Sequence, residues 1–159
     1  MSFLAIGLLG GLFILAVCND VATREISDYI WMSFLVVALF FGYLFQWHSL
    51  LGVLLIYLFF FLLWKLGMLG GGDVKLIATS SVFFTPQDQL HYIFNISLAG
   101  GFLALCYLLA RGRFPILFCG DRLFARIARI ESWRIRRGRP LPYAIAIAAG
   151  FAITVLKTH

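Results

Sequence analysis

Carboxylates are scarce in this chain, and two of them stand at the edges of apolar runs. The acidic residues number seven in 159: Asp20, Glu25, Asp28, Asp73, Asp88, Asp121 and Glu131. Asp20 directly follows the first apolar run, and Asp73 follows three glycines just ahead of another. Two carboxylates held together in a poorly solvated site share a proton, so one is a base and the other an acid. Such a pair can activate a water molecule to attack a peptide carbonyl. The spacing leaves open which aspartate is the acid and which is the base.

The glycines that precede Asp73 fit two interpretations. Because Gly70, Gly71 and Gly72 lack side chains and allow unusual dihedrals, an extended substrate backbone can approach Asp73 closely. The same run also fits a flexible turn in which Asp73 is the N-cap of the next helix, since Asp is a favoured cap. Spacing alone leaves both interpretations open.

Two cations lie close to these aspartates in sequence. Arg24 follows Asp20 by one helical turn and can hold a carboxylate ionised, and Lys75 can tune Asp73 in the same way. Each also fits a role in membrane anchoring, Arg24 as a positive-inside residue and Lys75 by extending to the lipid headgroups. Asp28, with Ser27, is predicted to cap the second helix.

The composition places the chain in lipid. Apolar residues make up 62% and charged residues 13%, and the mean hydropathy is +0.96, whereas soluble domains run at roughly 45–50% apolar and about 25% charged. We therefore predict an all-α polytopic membrane protein, with residues 1–159 forming one integral membrane domain. The first run lacks a basic region and a cleavage site, so it is predicted to be a retained span.

Uncharged stretches predict about six transmembrane helices. The long run 29–64 suits two helices divided by the polar residues 46–49, because one span needs about 20 residues. The sequence Thr85-Pro86-Gln87-Asp88 is typical of a helix start, with Thr85 as the cap and Pro86 at the first helical position. The predicted spans lie in residues 1–19, in the two halves of 29–64, and in 76–84, 86–110 and 140–156.

The distribution of charge predicts the topology. All lysines and arginines except Lys157 fall in the odd-numbered connections, so those connections are predicted to be cytoplasmic and both termini outside. The net charge of +6 is thereby explained, and nucleic-acid binding loses its main support. The basic segment 113–139 contains an amphipathic pattern at 121–131, which predicts an interfacial helix that binds anionic lipid.

Metal and nucleophile signatures are absent from the sequence. No CxxC pair or HExxH motif occurs, so we predict no metal and no organic cofactor. Ser80 and Ser81 lack a nucleophile elbow and are predicted to hydrogen-bond within their helix. The cysteines and histidines stand apart at Cys18, Cys106, Cys119, His48, His91 and His159.

Three ordered motifs resemble one family of intramembrane proteases. The stretch Gly70-Gly71-Gly72-Asp73 resembles the GxGD signature of intramembrane aspartyl proteases, and residues 72–76 resemble its type IV prepilin peptidase form. Asp20, Arg24 and Ile26 are similar to that family's first-aspartate motif. Residues 142–146, together with Gly150, resemble the segment that opens its last helix.

The resemblance implies an aspartyl endopeptidase that removes a short basic leader from prepilins at the cytoplasmic face of the bacterial inner membrane. Asp20 and Asp73 are then its catalytic pair. The chain departs from the family at Ser27 and Asp28, where Pro and Asn are common, and it lacks the tetracysteine zinc region of larger members. It therefore resembles the short branch that serves Flp-type or tight-adherence pilins, for which we do not expect N-methylation of the mature pilin.

Two other classes of function fit some of the same residues. A small proton-coupled transporter or channel component also uses intramembrane carboxylates, although no acidic residue lies in the middle of a predicted span. A non-catalytic pilus-assembly factor predicts that conservative changes at the aspartates leave assembly intact. Proton flux without peptide cleavage favours the first of these classes, and cleavage that depends on both aspartates excludes the second.

Overall fold

The computed structural model describes residues 3–23, 26–41, 47–113 and 142–158. Within these ranges the chain is entirely helical, which confirms the all-α prediction. The helices are α1 (Phe3–Thr23), α2 (Asp28–Phe40), α3 (Trp47–Lys65), α4 (Gly71–Ser81), α5 (Pro86–Arg113) and α6 (Tyr143–Thr158). Arg24, Glu25, Cys119, His159 and residues 114–139 of the predicted basic segment lie outside the described residues.

Local sequence accounts for two of the helix boundaries. Helix α5 begins at Pro86, as predicted. The Thr85 hydroxyl donates a hydrogen bond to Asp88 Oδ2 at 2.6 Å, and the Asp88 N–H donates one to Thr85 Oγ1 at 3.4 Å. At the end of α3, Gly67 has φ +73°, a conformation that suits glycine because it has no Cβ. The N–H of Met68 bonds to the Leu63 carbonyl there, which closes α3 in a Schellman turn.

An aromatic cluster holds the centre of the helical bundle. Phe13 of α1 lies 4.8 Å from both Phe34 of α2 and Phe151 of α6, measured between ring centroids. Phe84, ahead of α5, lies 5.0 Å from Phe151 and from Tyr92. All five rings are buried, so they fix four helices around one core and thereby set the positions of the helix ends.

Helices α5 and α6 pack most extensively of all the pairs. Gly150 of α6 lies against α5 so closely that a Cβ there would stand 2.8 Å from the Ile96 nitrogen and 3.0 Å from its Cα. The Asn95 amide donates to the Thr154 hydroxyl at 3.0 Å, and both side chains are buried. Small residues that allow backbones to approach, and hydrogen bonds between helices, are typical of packing in lipid.

We expect Gly150→Ala to destabilise the protein, because the Cβ would meet backbone atoms that cannot move aside. The cost should be about 1–3 kcal/mol, as for other overpacked sites, and thermal unfolding in detergent micelles would measure it. Gly101→Ala is the matched control, since nothing lies within 4 Å of a Cβ at Gly101. Equal stability of the two variants would contradict the close α5–α6 contact.

The outer faces of the helices are apolar. Leu4, Phe94 and Leu108 are each more than 60% exposed, which suits a lipid environment. By length and composition, Leu4–Thr23 and Pro86–Leu109 are the two described helices long and apolar enough to cross a membrane; Asp28–Phe40, Ser49–Lys65 and Tyr143–Lys157 are shorter apolar helices. The six crossings, their orientation and the single domain stay predictions.

Candidate active site

Asp20 lies in the last turn of α1, and its carboxylate is held by the start of α6. The side chain is 5% exposed, and Asp20 Oδ2 accepts a hydrogen bond from the backbone N–H of Ala144 at 3.0 Å. N–H groups in the first turn of a helix have no partner within the helix, so Ala144 is free to donate outward. The positive end of the α6 dipole also favours negative charge at this position.

Asp73 lies in the first turn of α4. The N-cap of α4 is Gly70, with φ −74° and ψ 146°, so the interpretation of Asp73 as the N-cap is wrong. Gly71 and Gly72 already belong to the helix, and the glycine run is a helix start rather than a flexible turn. From the third helical position the half-buried Asp73 carboxylate reaches back and accepts a hydrogen bond from the Gly70 backbone.

The two aspartates are near enough for their charges to interact. Asp73 precedes the apolar segment 76–84, and its pKa is raised to about 7 by burial of the carboxyl and by the negative charge of Asp20, against the opposing hydrogen bond from Gly70. A carboxyl with this pKa is protonated in much of the protein near neutral pH. The site therefore brings together one carboxyl whose pKa is raised toward neutral pH and another bound by a helix N-terminus.

Two of the three glycines have no room for a side chain. A Cβ at Gly70 would lie 2.9 Å from Asp73 Oδ2, and a Cβ at Gly72 would lie 2.9 Å from the Ile26 Cβ. A Cβ at Gly71 would lie 3.3 Å from its nearest neighbour, Trp64 Nε1, which is a less severe contact. Gly70 is thus required for the position of the Asp73 carboxylate, and Gly72 is required for the approach of the segment that follows α1.

A comparison with known protein families matches residues 7–105 to the type IV leader peptidase family. This match covers more than half of the chain and includes both Asp20 and Asp73. The chain belongs to the type IV leader peptidase family. No curated protein and no solved structure matches it. Family membership makes the chain a peptidase, and together with the two long apolar helices it indicates a membrane protein.

In this leader peptidase the Lys75 ammonium is bound by Asp28, a contact that the sequence did not indicate. Lys75 Nζ lies 2.8 Å from Asp28 Oδ1, and Trp31 Nε1 donates to the same oxygen at 2.7 Å. The Lys75 ammonium also lies 5.2 Å from the centroid of the Trp31 ring. Ser27 is the N-cap of α2, but its side chain makes no capping hydrogen bond, so the predicted cap is wrong in that respect. The cluster instead joins the starts of α2 and α4.

We expect Asp28→Asn to change peptidase activity by no more than about threefold. The Asp28–Lys75 pair is exposed to solvent, and exposed ion pairs contribute little. Initial rates of leader cleavage at low and moderate salt would measure the effect. A loss greater than tenfold would contradict this expectation and would show that Lys75 must be kept away from Asp73.

The hydroxyls that follow Asp73 on α4 serve the helix itself. Ser80 Oγ donates to the Leu76 carbonyl at 2.6 Å and lies 2.6 Å from the Tyr92 hydroxyl. Ser81 Oγ donates to the Ala78 carbonyl at 2.7 Å, and both serines are buried. The prediction that they form hydrogen bonds within the helix is confirmed.

Across the described ranges no three His, Cys, Asp or Glu residues form a group that could hold a metal ion.

Proposed function

We propose that this leader peptidase is an aspartyl endopeptidase of the inner membrane, which cleaves a short basic leader from prepilins, of the Flp or tight-adherence type, at the cytoplasmic face. The observation that carries the proposal is the juxtaposition of Asp20 and Asp73 at the ends of two helices far apart in sequence. Their unequal surroundings suit a base and an acid. The GxGD resemblance and the positive-inside distribution of charge support the substrate and the face.

In the proposed reaction Asp20 is the base and Asp73 the acid. The Asp20 carboxylate, stabilised by the Ala144 N–H, takes a proton from a water molecule. The water oxygen attacks the carbonyl carbon of the scissile peptide bond. Asp73, protonated near neutral pH, donates a hydrogen bond to the carbonyl oxygen and stabilises the charge that develops there.

Collapse of the tetrahedral intermediate completes the reaction without a covalent enzyme intermediate. The carbon–nitrogen bond breaks, and the proton taken from water passes to the leaving amine. The products are the leader with a new carboxylate and the mature chain with a new amino group. The missing side chain at Gly70 leaves room for the Asp73 carboxyl in the position from which it meets the substrate carbonyl.

The proposed roles predict that cleavage declines as the pH rises through about 7. The rate requires protonated Asp73, whose pKa is about 7, and ionised Asp20, so deprotonation of Asp73 removes the acid. The measurement is kcat/KM between pH 5 and 9, with thermal stability followed at each pH as the control. A rate that rises steadily from pH 6 to 9 would contradict the assignment of Asp73 as the acid.

The proposal is tested by cleavage of a precursor by the purified protein in lipid vesicles. The substrate is a synthetic prepilin segment with a basic leader ahead of an apolar helix, and mass spectrometry identifies the products. We expect one cut at the junction, unaffected by a metal chelator. Proton flux across the vesicles that depends on Asp73, without cleavage, would contradict the proposal.

A further inference from the structure

The first residue of α6, Tyr143, is seated in a notch at Gly100 of α5. A Cβ at Gly100 would lie 2.9 Å from both the hydroxyl oxygen and Cε2 of Tyr143, whereas a Cβ at the neighbouring Gly101 would meet nothing within 4 Å. Gly100 is buried and Gly101 is exposed. The missing side chain at Gly100 therefore admits the phenol and sets how closely the start of α6 approaches α5.

The notch lies beside the aspartate pair. Tyr143 directly precedes Ala144, whose N–H holds Asp20 at 3.0 Å, and its phenol lies within electrostatic range of Asp73. Tyr92 of α5 also interacts electrostatically with the phenol. The first turn of α6 thus binds Asp20 through its backbone and is seated against α5 through the Tyr143 side chain.

We propose that Tyr143 is a positioning residue for leader cleavage: its phenol, seated at Gly100, fixes the first turn of α6 over Asp20. The inference rests on the proposed function. If the ring moves out of the notch, the Ala144 N–H moves with it, and small displacements of a catalytic group cost activity steeply. If the hydroxyl is removed, the ring loses one of the two atoms that lie closest to Gly100.

Tyr143→Phe tests the hydroxyl, because it keeps the ring and therefore the packing. We expect kcat to fall roughly tenfold with KM within about twofold of wild type. A kcat of Tyr143→Phe within about twofold of wild type would overturn the proposal, since the hydroxyl contact at Gly100 would then have no effect on the position of the Ala144 N–H.

Gly100→Ala tests the notch, with Gly101→Ala as the matched control one residue away. We expect Gly100→Ala to lose about as much kcat as Tyr143→Phe, and the double variant to lose less than the product of the two effects, because both disturb one contact. Gly101→Ala should retain wild-type kcat. Equal activity of Gly100→Ala and Gly101→Ala, with normal thermal unfolding, would overturn the role of the notch.

Asp73→Asn in the same assay separates this inference from the proposed function. A fully active Asp73→Asn would overturn the aspartyl mechanism and the inference with it. An inactive Asp73→Asn beside a fully active Tyr143→Phe would overturn only the inference.

Discussion

Replacing Asp73 by Asn should lower the rate of leader cleavage by about a thousandfold, and Asp20→Asn should behave alike. General acid–base groups commonly contribute factors of this size. An amide at position 20 cannot take a proton from water, and an amide at position 73 donates a far weaker hydrogen bond than a carboxylic acid. Asparagine keeps a carbonyl oxygen, so the hydrogen bond from Ala144 to position 20 can persist. Initial rates on the synthetic precursor, in vesicles at pH 6, would measure both losses.

Asp88→Asn is the matched control for these changes. Asp88 is partly exposed at the start of α5, where it contacts Thr85. Its replacement makes the same chemical change and should leave cleavage at the wild-type rate. If Asp73→Asn were as active as Asp88→Asn, the catalytic assignment of Asp73 would be wrong.

Gly70→Ala should have the second largest effect, a loss of cleavage of about a hundredfold, which is the scale expected when a catalytic group is displaced by about 1 Å. The added Cβ would stand 2.9 Å from Asp73 Oδ2, so the carboxylate must rotate away from its position. Gly72→Ala should also lose activity, since its Cβ would collide with Ile26. Rates on the precursor, paired with thermal unfolding, separate displacement of the carboxylate from loss of the fold.

Gly71→Ala is the comparison within the same run. Its Cβ would lie 3.3 Å from Trp64 Nε1, at the end of a side chain that can adjust, and alanine favours the helix over glycine. We therefore expect a loss of less than tenfold. Equal activity of the three alanine variants would indicate that the glycines act only through flexibility, which contradicts the steric account.

The helices and the two aspartates could be predicted because their signals are local. Uncharged runs and the Thr85-Pro86 start are properties of neighbouring residues, and they correspond to helices in the structure. Asp20 and Asp73 were detectable because charge is so rare in this chain. The position of Asp73 within α4 was harder to predict, because Gly70 and Asp73 are both acceptable N-caps.

The partners of these residues could not be predicted, since they come from distant segments or from the backbone. Asp28 and Lys75 are 47 positions apart, and only the packing of α2 against α4 brings them together. The donor to Asp20 is a main-chain N–H 124 positions away. A backbone donor cannot be recognised from residue types, because every residue except proline has one. The notch at Gly100 is defined only once α5 and α6 are packed against each other.

Infrared pH titration of the carboxyl groups in the purified protein tests most directly whether Asp20 and Asp73 form one coupled pair. We predict a protonated carboxyl that titrates near pH 7, consistent with the raised pKa of Asp73. Its signal should vanish in Asp73→Asn and should titrate at lower pH in Asp20→Asn, because the neighbouring negative charge is gone. A titration unchanged by both substitutions would contradict the account.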